Sequence, residues 1–169
     1  KARMGGGFGT KQDVVTEDLA GWFAWKTGRP CVLRLSREEV FVETRQRHPM
    51  WLRVKLGAKR DGTLTAIEMV NEADTGAYGV HCLTVPMNAC SKTLPLYRCP
   101  NMRFDVTVYY TTLPITGAYQ GYGAPQGSFA VQTALAELAR ELGMDVVALQ
   151  RKNMVHQGYR LEILKCLGE

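Results

Sequence analysis

The sequence predicts an α+β fold, a mixed sheet built on one long β-hairpin with helices packed against it, and three stretches carry that prediction. Residues 51–56 and 64–70 alternate apolar with polar side chains on either side of Arg60-Asp61-Gly62-Thr63, a hairpin pattern in which the Asp-Gly pair supplies the turn. Residues 102–112 (MRFDVTVYYTT) have the alternation and β-branched content of a further strand. Phe129, Ala130, Ala134, Leu135, Leu138, Ala139 and Leu142 recur at helical spacing, placing an apolar stripe on a well-buried helix.

The remaining elements follow in order. Asp13 or Thr16 caps a helix carrying Leu19, Ala20, Trp22 and Phe23 that stops near Gly28-Arg29-Pro30; Trp22 and Trp25 read as core or interface packing. Residues 31–35 (CVLRL) read as a short strand, and Ser36-Arg37-Glu38-Glu39 is a capping box opening a helix through about Thr44. Arg53 and Lys55 form the solvated face of the first hairpin strand. Residues 79–95 are less regular and partly helical, and residues 97–101 (YRCPN) make a turn. Gly143 ends the long helix, and Asp145 caps a second one with Val146, Leu149 and Met154 on its apolar side.

A chain of 169 residues with 46% hydrophobic content can bury a sizeable core as one domain or two small ones. The formal charge of +5 is modest and scattered among acids, with no aromatic-interleaved basic patch, so nucleic acid is not an expected partner. Five cysteines, an odd number without a CxxC pair, suit a reducing, cytoplasmic compartment and exclude a zinc ribbon. No apolar run is long enough to span a bilayer, and no membrane association is expected. The chain begins at Lys1 inside a motif, which suggests that native sequence precedes it.

Two glycine-rich loops stand out, residues 4–13 (MGGGFGTKQD) and residues 116–127 (TGAYQGYGAPQG), each followed by a helix. Glycines permit positive φ and close backbone approach, and clustered N–H groups can face one ligand. Each loop could equally be a connection that lets two elements pack closely. The first is neither a Rossmann fingerprint nor a Walker A loop, because no strand precedes it and no Ser or Thr follows Lys11. His48, His81 and His156 have no ligand-spaced carboxylate or cysteine, so each reads as a satisfied structural or surface histidine. No nucleophile setting is recognisable. An enzyme using this chain would draw on it for positioning through backbone and neutral side chains.

Residues 4–13, residues 34–49 (RLSREEVFVETRQRHP), residues 118–126 (AYQGYGAPQ) and Arg151-Lys152-Asn153-Met154, in that order and at these separations, resemble the xanthine dehydrogenase and aldehyde oxidase family, in particular the molybdenum-binding subunit of its bacterial members. The resemblance covers nearly the whole chain. It implies a fragment, residues 1–169, of a larger molybdopterin-binding subunit. The family hydroxylates a carbon beside a ring nitrogen, or an aldehyde carbon, with oxygen from water, and passes two electrons through iron–sulfur clusters to an acceptor. The implied cofactor is molybdenum on a molybdopterin dithiolene.

Carried onto matching positions, the resemblance places Gly7, Phe8, Gly9 and Gln120 at the cofactor, with the backbone N–H groups of Phe8 and Gln120 close to the molybdenum ligands. Gln120 departs from the family's usual arginine, so a positive charge is lost there while a backbone contact is kept. Gln12, Asn88 and Tyr122 fall where substrate is bound. The two amides suit the N and C=O edge of a heterocycle and Tyr122 a stacking face, which favours a purine-like substrate over nicotinate and both over an aldehyde. The family's general-base glutamate and most pterin contacts lie in later motifs that do not occur here, so no catalytic residue is expected in this chain. The 2Fe-2S and FAD groups are expected on other domains or subunits, and the isolated chain is expected to be inactive. The alternative is a non-catalytic structural or interaction module derived from the family.

Overall fold

A computed structural model describes residues 4–9 and 11–159. Its centre is a three-stranded sheet in the order β1-β2-β3. β1 (Met50–Ala58) and β2 (Leu64–Asp74) form the predicted hairpin, antiparallel with Val54 opposite Met69. It runs further than the alternating stretches at both ends. β3 (Met102–Tyr109) pairs parallel to β2, with Phe104 opposite Met69. A parallel neighbour needs a crossover, and this one contains α3 (Thr84–Ser91) and the 3-10 turn Leu94–Leu96, so the irregular stretch is partly helical as expected. β3 stops at Tyr109, three residues short of Thr112.

Strand alternation separates two faces. Leu52, Val54, Leu56, Phe104 and Val106 face the helices, while Trp51, Arg53, Lys55, Arg103 and Asp105 are exposed. α4 (Ala124–Leu142) lays Val131, Leu135 and Ala139 over the inner face. There they meet Leu64, Ile67 and Met69 of β2, Cys90 of α3 and Leu149 of α5 (Val146–Asn153), all buried. Burying each large aliphatic side chain contributes roughly 1.5–3 kcal/mol. α4 also lies close along α3, because a Cβ at Gly127 would strike the Ala89 carbonyl and one at Gly123 the Val85 carbonyl. Asn153 ties α5 to the hairpin turn: Oδ1 accepts from Leu64 N at 2.9 Å, and Nδ2 donates to Gly62 O at 2.8 Å and Leu149 O at 2.9 Å. A buried amide satisfied on both ends locks these elements together.

The capping box of α2 (Arg37–Glu43) forms with both of its bonds, and Asp145 caps α5. Other expectations are corrected. Residues 31–35 form no strand: no neighbouring backbone pairs with them among the described residues, and Val32 is 90% exposed. α1 (Glu17–Thr27) starts after Thr16, but neither Thr16 nor Asp13 caps it; Glu17 instead accepts from the Val15 and Thr16 N–H groups, each at 3.1 Å. No residue of α1 is buried, so Trp22 and Trp25 are not core in this chain. Phe129, at 75% exposure, lies off the buried stripe, and Met154 sits exposed past the end of α5. Among the described residues no helix is long and apolar enough to cross a membrane.

Candidate functional site

The two glycine loops meet. Gly9 has φ +94°, and a Cβ there would lie 2.7 Å from Ala118 C and from Tyr119 N and Cα. Main-chain atoms cannot swing aside as a side-chain tip can, so this contact requires glycine. The loops face a cavity of about 800 Å³, lined by Phe8, Gly9 and Gln12 from the first loop, Tyr119 to Tyr122 from the second, and Lys92 beyond α3. Phe8 (φ 49°) and Tyr122 (φ 47°) are both left-handed, a conformation that costs a bulky residue energy and is often found at functional loops.

Hydrogen bonds within each loop orient its peptides. Gly7 O accepts from Lys11 N at 3.1 Å, and Tyr119 O accepts from Tyr122 N at 2.8 Å. In a trans peptide the N–H points opposite to the C=O, and no cis peptide occurs among the described residues. The N–H groups of Phe8 and Gln120 are therefore turned away from their own turns, and neither has a protein acceptor among the described residues.

The segment after α2 fastens both loops. Arg47 Nη2 donates to Gln120 O at 2.9 Å, and Nη1 to Gln126 Oε1 at 3.3 Å, while the guanidinium lies 4.6 Å from the Tyr119 ring centroid. Gly117 N donates to Gln46 O at 3.0 Å. Arg45 packs against Gly117, where a Cβ would collide with it, and reaches Asp13 of the first loop at 3.0 Å. In the sequence, residues 45–49 simply follow the helix expected to run through about Thr44. The signal available was their place among the four ordered motifs, which did not assign roles to Arg45 and Arg47.

Of the predicted site residues, Phe8, Gly9, Gln12, Gln120 and Tyr122 come together at the cavity. Gly7 supplies the turn carbonyl beneath it. Asn88 lies on α3 outside the cavity lining, where its Oδ1 accepts from Ser91 Oγ at 3.4 Å. His81 is not isolated. Its Nδ1 is 2.6 Å from the Tyr122 hydroxyl and its Nε2 3.5 Å from Asp13 Oδ2.

His48 corrects the expectation of a satisfied histidine. It is buried, at 2% exposure, and neither ring nitrogen has a hydrogen-bond partner among the described residues. Burial and then the charge of His81 push its pKa down from 6.5 to about 4, while the Gly117 backbone and Asp74 pull the other way. A depressed histidine pKa means that the unfolded chain takes up the proton first, so stability falls as pH drops from 6.5 towards 4 and is unaffected by this group above that window. We expect His48→Met to lessen the stability lost between pH 7 and pH 4.5, measured by urea unfolding, by about 2 to 3 kcal/mol. An equal loss in both proteins would contradict this.

Residues 1–154 match the family described as the molybdopterin cofactor-binding domain. The probable hypoxanthine oxidase XdhD of Escherichia coli (strain K12) is 51% identical over all of this chain, which covers 18% of that protein. The xanthine dehydrogenase molybdenum-binding subunit of Escherichia coli O157:H7 is 39% identical over 94% of the chain and 21% of its own length. Among solved structures, the aldehyde oxidoreductase of Desulfovibrio gigas superposes with a TM-score of 0.81 at 36% identity, over 94% of this chain and 17% of that one. The chain thus spans about a fifth of the curated relatives it matches. Matched over most of its length by one family and by these relatives, the chain belongs to the molybdopterin cofactor-binding domain family.

Proposed function

We propose that this chain forms two walls of the molybdenum site of a hydroxylase that oxidises an aromatic N-heterocycle, purine-like first. The observation that carries the reading is the pair of outward N–H groups, Phe8 and Gln120, on loops held together by Gly9 at one cavity. Preorganised donors of this kind fit an electron-rich dithiolene centre with oxygen ligands and add no titratable group beside it. In that role Gly7 and Gly9 allow close approach, and Arg47 holds the Gln120 peptide in place through its carbonyl. The bound molybdenum supplies the two-electron redox chemistry. Overall, one C–H bond becomes C–OH with oxygen from water, and two protons and two electrons leave. The general-base glutamate, the remaining pterin contacts and the 2Fe-2S and FAD partners belong to the rest of the enzyme, so the isolated chain is inactive. The four described cysteines, all unpaired, fit a cytoplasmic setting.

Gln12 and Tyr122 are assigned to the substrate, and Asn88, which lies off the cavity lining, only through the resemblance. Gln12 lies on the cavity wall, where its amide can both donate to and accept from a ring edge, and Tyr122 closes the opposite loop with an aromatic face. The names of the two bacterial relatives, a hypoxanthine oxidase and a xanthine dehydrogenase subunit, support a purine. In steady-state kinetics on the complete enzyme, Gln12→Leu is expected to cost about 1 to 3 kcal/mol in kcat/KM for a purine. An unchanged specificity constant, or a preference of the parent enzyme for aliphatic aldehydes, would contradict the substrate assignment.

A further inference from the structure

We infer that His81 is a positioning residue that fixes the Tyr122 ring as a wall of the cavity. The inference rests on the reading above only in taking that wall to face substrate. His81 lies 41 positions before Tyr122, in a stretch without a recognisable motif, yet it sits between the two glycine loops. Its Nε2 faces Asp13 Oδ2 at 3.5 Å, and Asp13 follows directly on Gln12. Its Nδ1 faces the Tyr122 hydroxyl at 2.6 Å, and the same hydroxyl is 2.8 Å from Thr84 Oγ1.

The partners select one consistent set of donors and acceptors. A carboxylate at Nε2 favours the tautomer with its proton there, which leaves Nδ1 as an acceptor. Tyr122 then donates its proton to Nδ1 and accepts from Thr84. With its hydroxyl engaged on both sides, Tyr122 offers the cavity its ring and not its O–H. The His81 and Tyr122 rings meet edge to face at 84°, with centroids 5.5 Å apart, which restrains the tilt of the tyrosine further. Both residues hold positive φ, 54° and 47°, a shared strain that the hydrogen bond between them helps to maintain. Arg45 Nη1 lies 3.0 Å from the same Asp13 oxygen that His81 faces, so the chain Arg45, Asp13, His81, Tyr122 sets the spacing between the Gln12 and Tyr122 walls.

Two measurements test this. The first uses the 169-residue chain itself: imidazole nitrogens are followed by ¹⁵N NMR, with only three histidines to assign. Tyr122→Phe, which keeps the ring and removes the hydroxyl, should shift His81 Nδ1 while leaving His156 in place. An unmoved His81 would overturn the inference. The second is a double-mutant cycle in the complete enzyme. His81→Ala should raise KM for a heterocyclic substrate by about five- to tenfold with little change in kcat, and should add almost nothing once Tyr122→Phe is present. Equal effects of His81→Ala in both backgrounds would overturn it, as would a fall in kcat alone. A parent enzyme that oxidises only aldehydes would sink the proposed substrate while leaving the NMR arm to judge the hydrogen bond.

Discussion

Gly9→Val in the complete subunit is expected to strip most of its molybdopterin, on the order of tenfold or more at equal protein, while leaving the thermal midpoint within about 5 °C. Two penalties coincide at this position. The β-branched side chain is forced to φ +94°, and its Cβ is driven to 2.7 Å from main-chain atoms of Ala118 and Tyr119. Each costs about 1 to 3 kcal/mol. Neither loop contributes to the buried cluster of Ile67, Met69, Val131 and Leu135, so the cheapest relief is to part the loops and not to unfold the sheet. Gly5→Ala is the matched control, because its Cβ would meet nothing within 4 Å. Cofactor content, by metal analysis and pterin fluorescence after release, should be unchanged in Gly5→Ala. Full loading of Gly9→Val would show that the approach of the two loops is not what holds the cofactor.

The sequence made visible what short-range physics decides. The hairpin, the capping box of α2 and the Asp145 cap each depend on residues within a few positions of one another, and all three form. Residues 31–35 have strand-like side chains, but a strand needs a partner, and none of the described residues provides one. Trp22, Trp25 and Phe129 carry the residue types of a core, yet exposure depends on what lies opposite, which a local pattern does not specify. The site divides in the same way. Glycine spacing marked both loops, and the resemblance picked out Gln120 for the cofactor and Gln12, Asn88 and Tyr122 for the substrate, of which all but Asn88 line one cavity. The side chains that fasten the loops reach across long separations, 73 residues from Arg47 to Gln120 and 79 to Gln126. His81 looked solitary because Asp13 and Tyr122 approach it only in the folded chain. The burial of His48 without a ring partner is likewise a property of packing alone.

An effect of similar size is expected at Gln120, and it separates main chain from side chain. Gln120 is exposed at the cavity rim, and its carbonyl is already engaged by Arg47. If its contribution is the outward N–H, truncating the side chain should matter little, and removing the N–H should matter a great deal. Gln120→Ala keeps the donor. Gln120→Pro removes it, fixes φ near −65° and restricts Tyr119 as well, so the comparison is made only on variants whose circular dichroism and thermal midpoint match the parent. Molybdenum content of the complete subunit is the decisive measurement: the account predicts near-parental loading in Gln120→Ala and a loss on the order of tenfold or more in Gln120→Pro. Equal loading in the two variants, whether both full or both depleted, would contradict the claim that the backbone N–H of Gln120 holds the cofactor.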